Sequence, residues 1–217
     1  MRKYFLLPIL VLVLIFSFAF DITTPNSQQD QMPKISNNTT SLFHSSNATD
    51  YLPFLAPLLV IPLDETVRLY VPKLKFLESL DHLEFEHFFI LAASTSLFIS
   101  YYDVSVARAI AQSFIATSTV TALLKFIIGR ARPYVNIGAL TFNPFSFSKS
   151  FQSFPSGHAS LSWTIFTPIA QNFGAQWYFV PVILSTQRLW SDEHWLSDVI
   201  FGSVLGWWIA NRIQSEK

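Results

Sequence analysis

The chain reads KFIIGRARP at residues 125–133, FPSGH at residues 154–158 and QRLWSDEHWLSD at residues 187–198. These three polar clusters interrupt a sequence that is otherwise strongly apolar. They bring together a lysine, arginines, a Ser-Gly-His turn, and a histidine and an aspartate four residues apart. Fixed cations beside two histidines suit an oxyanion that is attacked and then released. The clusters therefore predict phosphoryl transfer through a nucleophilic histidine.

The positions of the clusters relative to the predicted helices explain how they can meet. Apolar runs predict helices over about 87–102, 104–128, 157–173, 176–190 and 196–213. Lys125 lies near the end of one predicted helix, and His158 lies at the start of the next. Arg188 lies near the end of the third helix, and His194 and Asp198 lie around the start of the last. Because antiparallel neighbours alternate in direction, these positions all lie on one face of a helical bundle.

Residue types from all three clusters suit an anion. Arg132 and Arg188 can each hold phosphate oxygens in a bidentate fork, and Lys125 adds a compact positive charge. The FPSGH turn predicts a helix start, where free backbone N–H groups favour a negative charge. There the Ser156 hydroxyl is a further donor, and Gly157 lets the backbone approach closely.

The two histidines have different predicted roles. His194 and Asp198 share a helix face, so Asp198 can accept from one ring nitrogen and leave the other free to attack phosphorus. His158 is then left as the acid that protonates the leaving oxygen. Each cluster alone has a structural explanation, such as a snorkelling lysine or a helix cap, but their joint occurrence favours a site. The neighbouring charged residues expected to be solvated are Arg130, Asp192 and Glu193, with Arg130 as an alternative outer contact to phosphate.

The composition predicts a membrane protein. Hydrophobic residues make up 51% and charged residues 13% of the chain, against about 25% charged in typical soluble domains. Serine and threonine inside the apolar runs suit helix packing in a bilayer, although a soluble all-α core is the alternative. The net charge is zero, which argues against nucleic-acid binding. The chain has no cysteine, so disulfides and thiolate metal sites are excluded.

The regions before the clusters have different characters. Residues 1–20 combine Arg2 and Lys3 with an apolar run, which predicts a signal peptide or an N-terminal anchor helix. Residues 21–50 are rich in small polar residues and predict a flexible extracytoplasmic segment. Residues 51–217 are predicted to form one catalytic domain.

Three stretches of that domain are not assigned to the predicted bundle helices. Residues 51–63 are apolar but too short to span a bilayer, and predict an interfacial or re-entrant piece. Residues 64–86 mix charge with large apolar residues and predict an amphipathic helix on the membrane surface. The long loop over 133–155 carries several phenylalanines, which either dip into lipid or pack on the helices.

The clusters resemble the signature of the type 2 phosphatidic acid phosphatase superfamily, which includes bacterial class A acid phosphatases and vanadium haloperoxidases. That signature is Lys, six residues, Arg-Pro; then Pro-Ser-Gly-His; then Ser-Arg, five residues, His, three residues, Asp. Gln187 stands where the family usually has serine. The resemblance implies an all-α membrane-embedded bundle with about five to six core helices. It also implies a phosphohistidine on His194, leaving-group protonation by His158, and no metal or other cofactor.

We therefore expect a phosphatase that acts on a phosphate monoester or diphosphate of a membrane lipid. The expected location is a bacterial inner membrane, with the site facing the periplasm or exterior. The bilayer and the lipid are the expected partners, with no nucleic acid and no obligate protein partner. Three alternatives remain: a soluble secreted acid phosphatase of class A type, a vanadate-dependent haloperoxidase, and an inactive membrane structural protein.

Overall fold

The computed structural model describes residues 48–71 and 82–215, and these residues form α-helices joined by short 3-10 turns and loops without a β-strand. The all-α prediction is therefore confirmed. The predicted segments over 1–20 and 21–50 lie outside the described residues, apart from residues 48–50. The α-helices are α1 (Ala56–Val60), α2 (Asp64–Tyr70), α3 (Phe85–Ser100), α4 (Val104–Ile128), α5 (Gly157–Phe173), α6 (Phe179–Trp190) and α7 (Leu196–Ser215).

Local capping signals set the limits of the bundle helices. The Asp103 side chain accepts from the backbone N–H groups of Ser105 and Val106, so α4 begins after Asp103. The helix ends at Gly129, which takes the left-handed conformation with φ of 59°. Ser156 caps α5 in the same way as Asp103 caps α4. These signals lie in the sequence itself, which is why the predicted limits of α4 and α5 agree with the structure.

The predicted helix over 176–190 is divided in the structure. A 3-10 turn covers Ala175–Tyr178, and α6 begins only at Phe179. Pro181 then lies in the first turn of α6, where its missing N–H leaves no helical hydrogen bond unmade. The stretch predicted to be interfacial contains a 3-10 turn (Ala48–Leu55), the short α1 and a second 3-10 turn (Ile61–Leu63).

Helix α5 lies at the centre of the described part of the chain. It packs against α4, α6 and α7, and most of its side chains are buried. Its closest neighbour is α7, which carries Gly202 and Gly206 against it. A Cβ atom at Gly206 would overlap the backbone carbonyl of Ser160 on α5. The small residues therefore let the two backbones approach closely, as small residues do in membrane helix pairs.

Large apolar side chains cover the outside of the bundle. On α3, Leu97 is 76% exposed, and on α4, Ile115 is 65% exposed. The interior instead contains fully buried hydroxyl groups such as those of Ser113, Thr117 and Thr164. Within the described residues, α4 is the helix long and apolar enough to cross a membrane, and only 28% of its most apolar window is buried. A core helix of a soluble protein would bury most of that window.

The prediction of a membrane-surface helix over 64–86 is only partly correct. Helix α2 ends at Tyr70, and α3 begins at Phe85. Residues 72–81 of the predicted helix lie outside the described residues. Two polar residues of α2 point into the protein, where Asp64 is almost fully buried and Arg68 binds Asp192. Leu69 and Tyr70 are exposed instead. The sequence shows that the segment is amphipathic, but not that its polar side would find buried partners.

Candidate active site

The guanidinium groups of Arg132 and Arg188 meet at one carboxylate, that of Glu193. The Arg132 Nη1 atom forms an ion pair with Glu193 Oε2, and Arg188 Nη2 lies 3.5 Å from the same oxygen. Arg132 is in the loop after α4, whereas Arg188 is in the last turn of α6. Two arginines from separate elements therefore converge on a single anion. The expectation that Glu193 is a solvated side chain is wrong.

The start of α5 lies beside these arginines. Ser156 is fully buried, its Oγ accepts from the Ala159 N–H, and its own N–H donates to the backbone carbonyl of Asp198. The Lys125 Cε atom lies 3.7 Å from the position that a Cβ on Gly157 would take. The Lys125 Nζ atom donates to the backbone carbonyl of Gln152 at 2.6 Å. The lysine thus lies across the helix start.

His194 lies in the turn between α6 and α7 and is almost fully buried. Its backbone N–H donates to the carbonyl of Arg188, which places the two side chains at the same turn. Burial of the imidazole, with further contributions from Lys125, Arg132 and Arg188, holds the pKa of His194 well below its usual value of 6.5. The Ser153 backbone carbonyl acts in the opposite direction. The imidazole is therefore neutral at neutral pH, as attack through a ring nitrogen requires.

The carboxylate of Asp198 is near His194 but is occupied by other donors. Its Oδ2 atom is 3.8 Å from His194 Nδ1, which is beyond hydrogen-bond range. Oδ2 accepts from the Ser153 hydroxyl at 2.5 Å and from the Trp195 N–H at 2.9 Å, while Oδ1 accepts from Arg130 at 2.6 Å. Catalytic hydrogen bonds are often long in ligand-free structures and shorten when substrate binds.

His158 lies in the first turn of α5, on the same side of the bundle. Its ring packs edge-on against Phe88 of α3, with the centroids 5.1 Å apart. The Nε2 atom is buried, and no hydrogen-bond partner is found for it among the described residues. Arg188, His194 and Lys125 all lie within electrostatic range of the imidazole. A buried ring nitrogen without a partner, close to three other site residues, is available to a bound ligand.

A buried charge network lies behind His194 and Asp198. Arg130 is 3% exposed and donates both to Asp198 and to Asp64 Oδ2, the latter at 2.7 Å. Asp64 also accepts from the Ser197 N–H and hydroxyl, so it caps the start of α7. The expectation that Arg130 is solvated is therefore wrong, because its guanidinium is enclosed between two carboxylates.

The network continues through an aromatic side chain to α2. Trp195 is 1% exposed and donates from its indole nitrogen to the Ala131 carbonyl. The guanidinium groups of Arg68 and Arg130 lie 5.6 and 5.7 Å from its ring centre. Arg68 in turn makes two 2.7 Å hydrogen bonds with Asp192, which is the third residue wrongly expected to be solvated. The contacts of Arg68 with Asp192 and Trp195 thus hold the turn that carries His194 against helix α2.

The sequence reasoning did not find Asp64, Ser153 or Trp195 as contributors to this region. Arg130 lies two residues before Arg132. An arginine in so apolar a stretch indicates a buried partner of opposite charge, and this could have been predicted. Asp64 lies far from Ser197 in sequence and has no comparable signal. Its role depends on contacts that form only after the chain has folded.

The rim of the site is aromatic. Phe145 and Phe147 contact the ring of Phe126 at the end of α4, with centroids 5.6 and 4.8 Å apart. Phe147 is nevertheless 84% exposed. Phe154 packs on Phe201 of α7. Packing on the helices is therefore confirmed for some rings of the loop over 133–155, and insertion of the exposed rings into lipid stays a prediction.

Taken together, the site offers two converging guanidinium groups, a lysine, a helix start and a neutral buried imidazole. Positive groups of this kind stabilise a phosphoryl group during transfer, and the imidazole is a nucleophile of the right type. Within residues 48–71 and 82–215, no group of three or more histidine, aspartate or glutamate side chains is arranged to hold a metal ion.

Comparisons with known proteins agree with this description. The family model for the PAP2 superfamily matches residues 106–214. The lipid A 1-phosphatase of Rhizobium etli is 36% identical over 93 residues, which are 41% of this chain and 40% of that protein. The lipid A 1-phosphatase of Rhizobium johnstonii is equally similar over 41% of this chain and 38% of its own length. The chain thus spans about two fifths of the length of each relative. No solved structure matches the chain.

Proposed function

Because the chain belongs to the PAP2 superfamily, we propose that it is a metal-independent phosphatase that hydrolyses a phosphate ester of a membrane lipid through a phosphohistidine. The observation that supports this most is the convergence of Arg132 and Arg188 on the Glu193 carboxylate beside His194. The position of this carboxylate is the one that we propose for the phosphate of a substrate. Since both similar relatives are named lipid A 1-phosphatase, the 1-phosphate of lipid A is the first substrate to test.

The proposed reaction has two displacement steps at phosphorus. A neutral ring nitrogen of His194 attacks the phosphorus, and the bond from phosphorus to the lipid oxygen breaks. The bound phosphate offsets the nearby cations and favours the protonated form of His158, which gives its proton to that leaving oxygen. In the second step His158 takes a proton from water, the hydroxide oxygen attacks phosphorus, and the bond to His194 breaks to release inorganic phosphate.

The remaining site residues bind and orient. Arg132, Arg188 and Lys125 hold the nonbridging oxygens, with the Ser156 hydroxyl and the backbone at Gly157 as further contacts. Asp198 orients the His194 ring once the ligand is bound, because its carboxylate is already held in place by Arg130, Ser153 and the Trp195 N–H. The catalytic residues are thus His158, His194 and Asp198.

We also propose that residues 51–217 form the phosphatase domain and that it is embedded in a bacterial inner membrane. The exposed apolar side chains on α3 and α4 support this, since a soluble secreted phosphatase of the same family would need polar side chains there. The exposed phenylalanines at the rim provide an apolar path from the bilayer to the site. The site is proposed to face the periplasm.

The test of the mechanism compares His194→Ala with His158→Ala. The purified protein in detergent is given ³²P-labelled lipid phosphate and an activated aryl phosphate, with and without EDTA. His194→Ala is expected to be inactive on both substrates and to trap no acid-labile, base-stable label. His158→Ala is expected to keep some single-turnover reaction with the aryl phosphate, since that leaving oxygen needs little protonation. EDTA is expected to have no effect.

Other outcomes would contradict parts of the mechanism. Label that still accumulates in His194→Ala, and is lost only in His158→Ala, would reverse the two roles. A strict requirement for a divalent metal would overturn the proposal that side-chain cations alone neutralise the phosphate. Bromide oxidation in the presence of vanadate, with no phosphate release, would favour the haloperoxidase alternative.

A further inference from the structure

Glu193 is the acidic side chain that contacts both phosphate-binding arginines. It pairs with Arg132 and lies 3.5 Å from Arg188, and its side chain is 27% exposed. The side chains of Arg132 and Arg188 are only 17% and 5% exposed. The carboxylate can therefore turn outward to solvent, whereas the arginines are held in the site.

The neighbouring acids have other partners and different positions. Asp192 is held by Arg68, and Asp198 is held by Arg130 and Ser153. Their oxygens are oriented toward the structural network behind His194. Among the acids at residues 187–198, the described contacts thus place Glu193 at the arginines that are proposed to receive substrate.

We propose that Glu193 is a specificity-determining residue that favours phosphate monoesters over diphosphate esters. This inference rests on the proposed phosphatase function and names the substrate class of the same site. A carboxylate beside the arginines cancels part of their positive charge before any substrate binds. Every anionic substrate must displace or tolerate that carboxylate.

The physical basis is the match between the net charge of the site and the charge of the substrate, which increases with the number of phosphate groups. A phosphate monoester carries about −1.5 to −2 charges at neutral pH, and Arg132, Arg188 and Lys125, partly offset by the Glu193 carboxylate, suit such a group. A diphosphate ester carries a further negative group bonded directly to the phosphate at the arginines, which increases the total negative charge that the Glu193 carboxylate repels. Because the site is partly buried, the repulsion is screened less than it would be at an exposed surface. The repulsion from Glu193 therefore weakens the binding of a diphosphate ester more than that of a monoester.

The test is the ratio of kcat/KM for a prenyl diphosphate to that for the matching prenyl monophosphate. Glu193→Gln keeps the shape of the side chain and removes its charge. We expect the ratio to rise about tenfold in this variant, on the order of the effect of removing one partly buried charge. Asp192→Asn removes the same net charge one residue away and is expected to leave the ratio within about twofold of the unmodified protein.

A second measurement separates this inference from the proposed function. Binding of inorganic phosphate and inorganic diphosphate is measured by calorimetry on the full chain in detergent, without turnover. Glu193→Gln is expected to tighten diphosphate binding more than phosphate binding, even if no lipid is hydrolysed. Absence of turnover by the unmodified protein would remove the phosphatase proposal alone. An unchanged ratio of the two affinities, an equal change in Asp192→Asn, or no binding of either anion would overturn the role of Glu193.

Discussion

Arg130 lies between two carboxylates, and this arrangement defines how the His194 turn is held. Its guanidinium donates to Asp64 on one side and to Asp198 on the other, at 2.7 and 2.6 Å, and all three side chains are buried. The positive charge of Arg130 therefore forms ion pairs with two carboxylates in a region of low dielectric. Removing the arginine leaves both carboxylates without their positively charged partner. Arg130 therefore affects the position of the His194 turn, although it does not contact the proposed phosphate site itself.

We predict that Arg130→Gln destabilises the protein by about 3–5 kcal/mol, the usual cost of breaking one side of a buried ion pair. Phosphatase activity should fall as well, since Asp198 loses the donor that orients it. The measurement is thermal unfolding of the purified protein in detergent, together with kcat on a lipid phosphate.

Arg68→Gln is the matched control for this prediction. Its pair with Asp192 is partly exposed, with side-chain exposures of 23% and 15%. Pairs that solvent reaches contribute about 1 kcal/mol or less, so the loss of stability should be much smaller. Equal destabilisation by the two variants would show that Arg130 has no special role in balancing Asp64 and Asp198.

Helices α5 and α7 make the closest backbone contact that bears on the site. Ser156 caps α5, His194 lies in the turn before α7, and Asp198 lies in the first turn of α7. The distance between the helices therefore sets the distance between these groups. Gly202 and Gly206 face α5, and a Cβ at either position would press on the backbone carbonyl of Ser156 or Ser160. The packing therefore depends on the absence of side chains at these positions.

We predict that Gly206→Ala destabilises the bundle by about 1–3 kcal/mol, as inserting an atom into a packed contact does. It should also lower phosphatase activity by shifting α7 relative to α5, although residue 206 touches no site residue. Ser203→Ala on the same helix removes a hydroxyl that donates to the carbonyl of Val199 at 2.9 Å and makes only a long contact of 3.5 Å with the Ser185 hydroxyl of α6. That control should change stability and activity little, and an equal effect of both variants would argue against the close contact as the cause.

The distribution of polar groups over the whole bundle predicts its orientation in a membrane. The polar clusters lie at one end, where α7 begins, and Arg212 with Trp208 lies at the other end of α7. The arginines at the catalytic end are paired with Asp64, Asp198 and Glu193. Basic residues that flank a membrane helix outside such a site favour the cytoplasmic side, so we predict that the catalytic end faces outward.

The natural absence of cysteine makes this orientation directly testable. Ser148 is an exposed loop residue near the site, and Ser215 is exposed at the end of α7. Cysteine introduced by Ser148→Cys should react with a membrane-impermeant thiol reagent in intact cells, or in spheroplasts if an outer membrane is present. Ser215→Cys should react only after lysis. The reverse pattern would invert the orientation, and labelling of both variants without lysis would argue against a spanning bundle.

The amino-acid sequence was sufficient to predict the helical class, most helix limits and the three polar clusters. Caps such as Asp103, Gly129 and Ser156 act within a few residues, and apolar runs reveal helices regardless of how those helices pack. The tertiary structure alone decided the partners of the remaining charges. Asp64 and Arg130 lie 66 residues apart, and Asp64 and Ser197 lie 133 residues apart. A charged side chain in a sequence has no preferred distant partner, because its contacts depend on which elements the fold brings together. For the same reason Glu193, which was expected to be solvated, is found against the arginines.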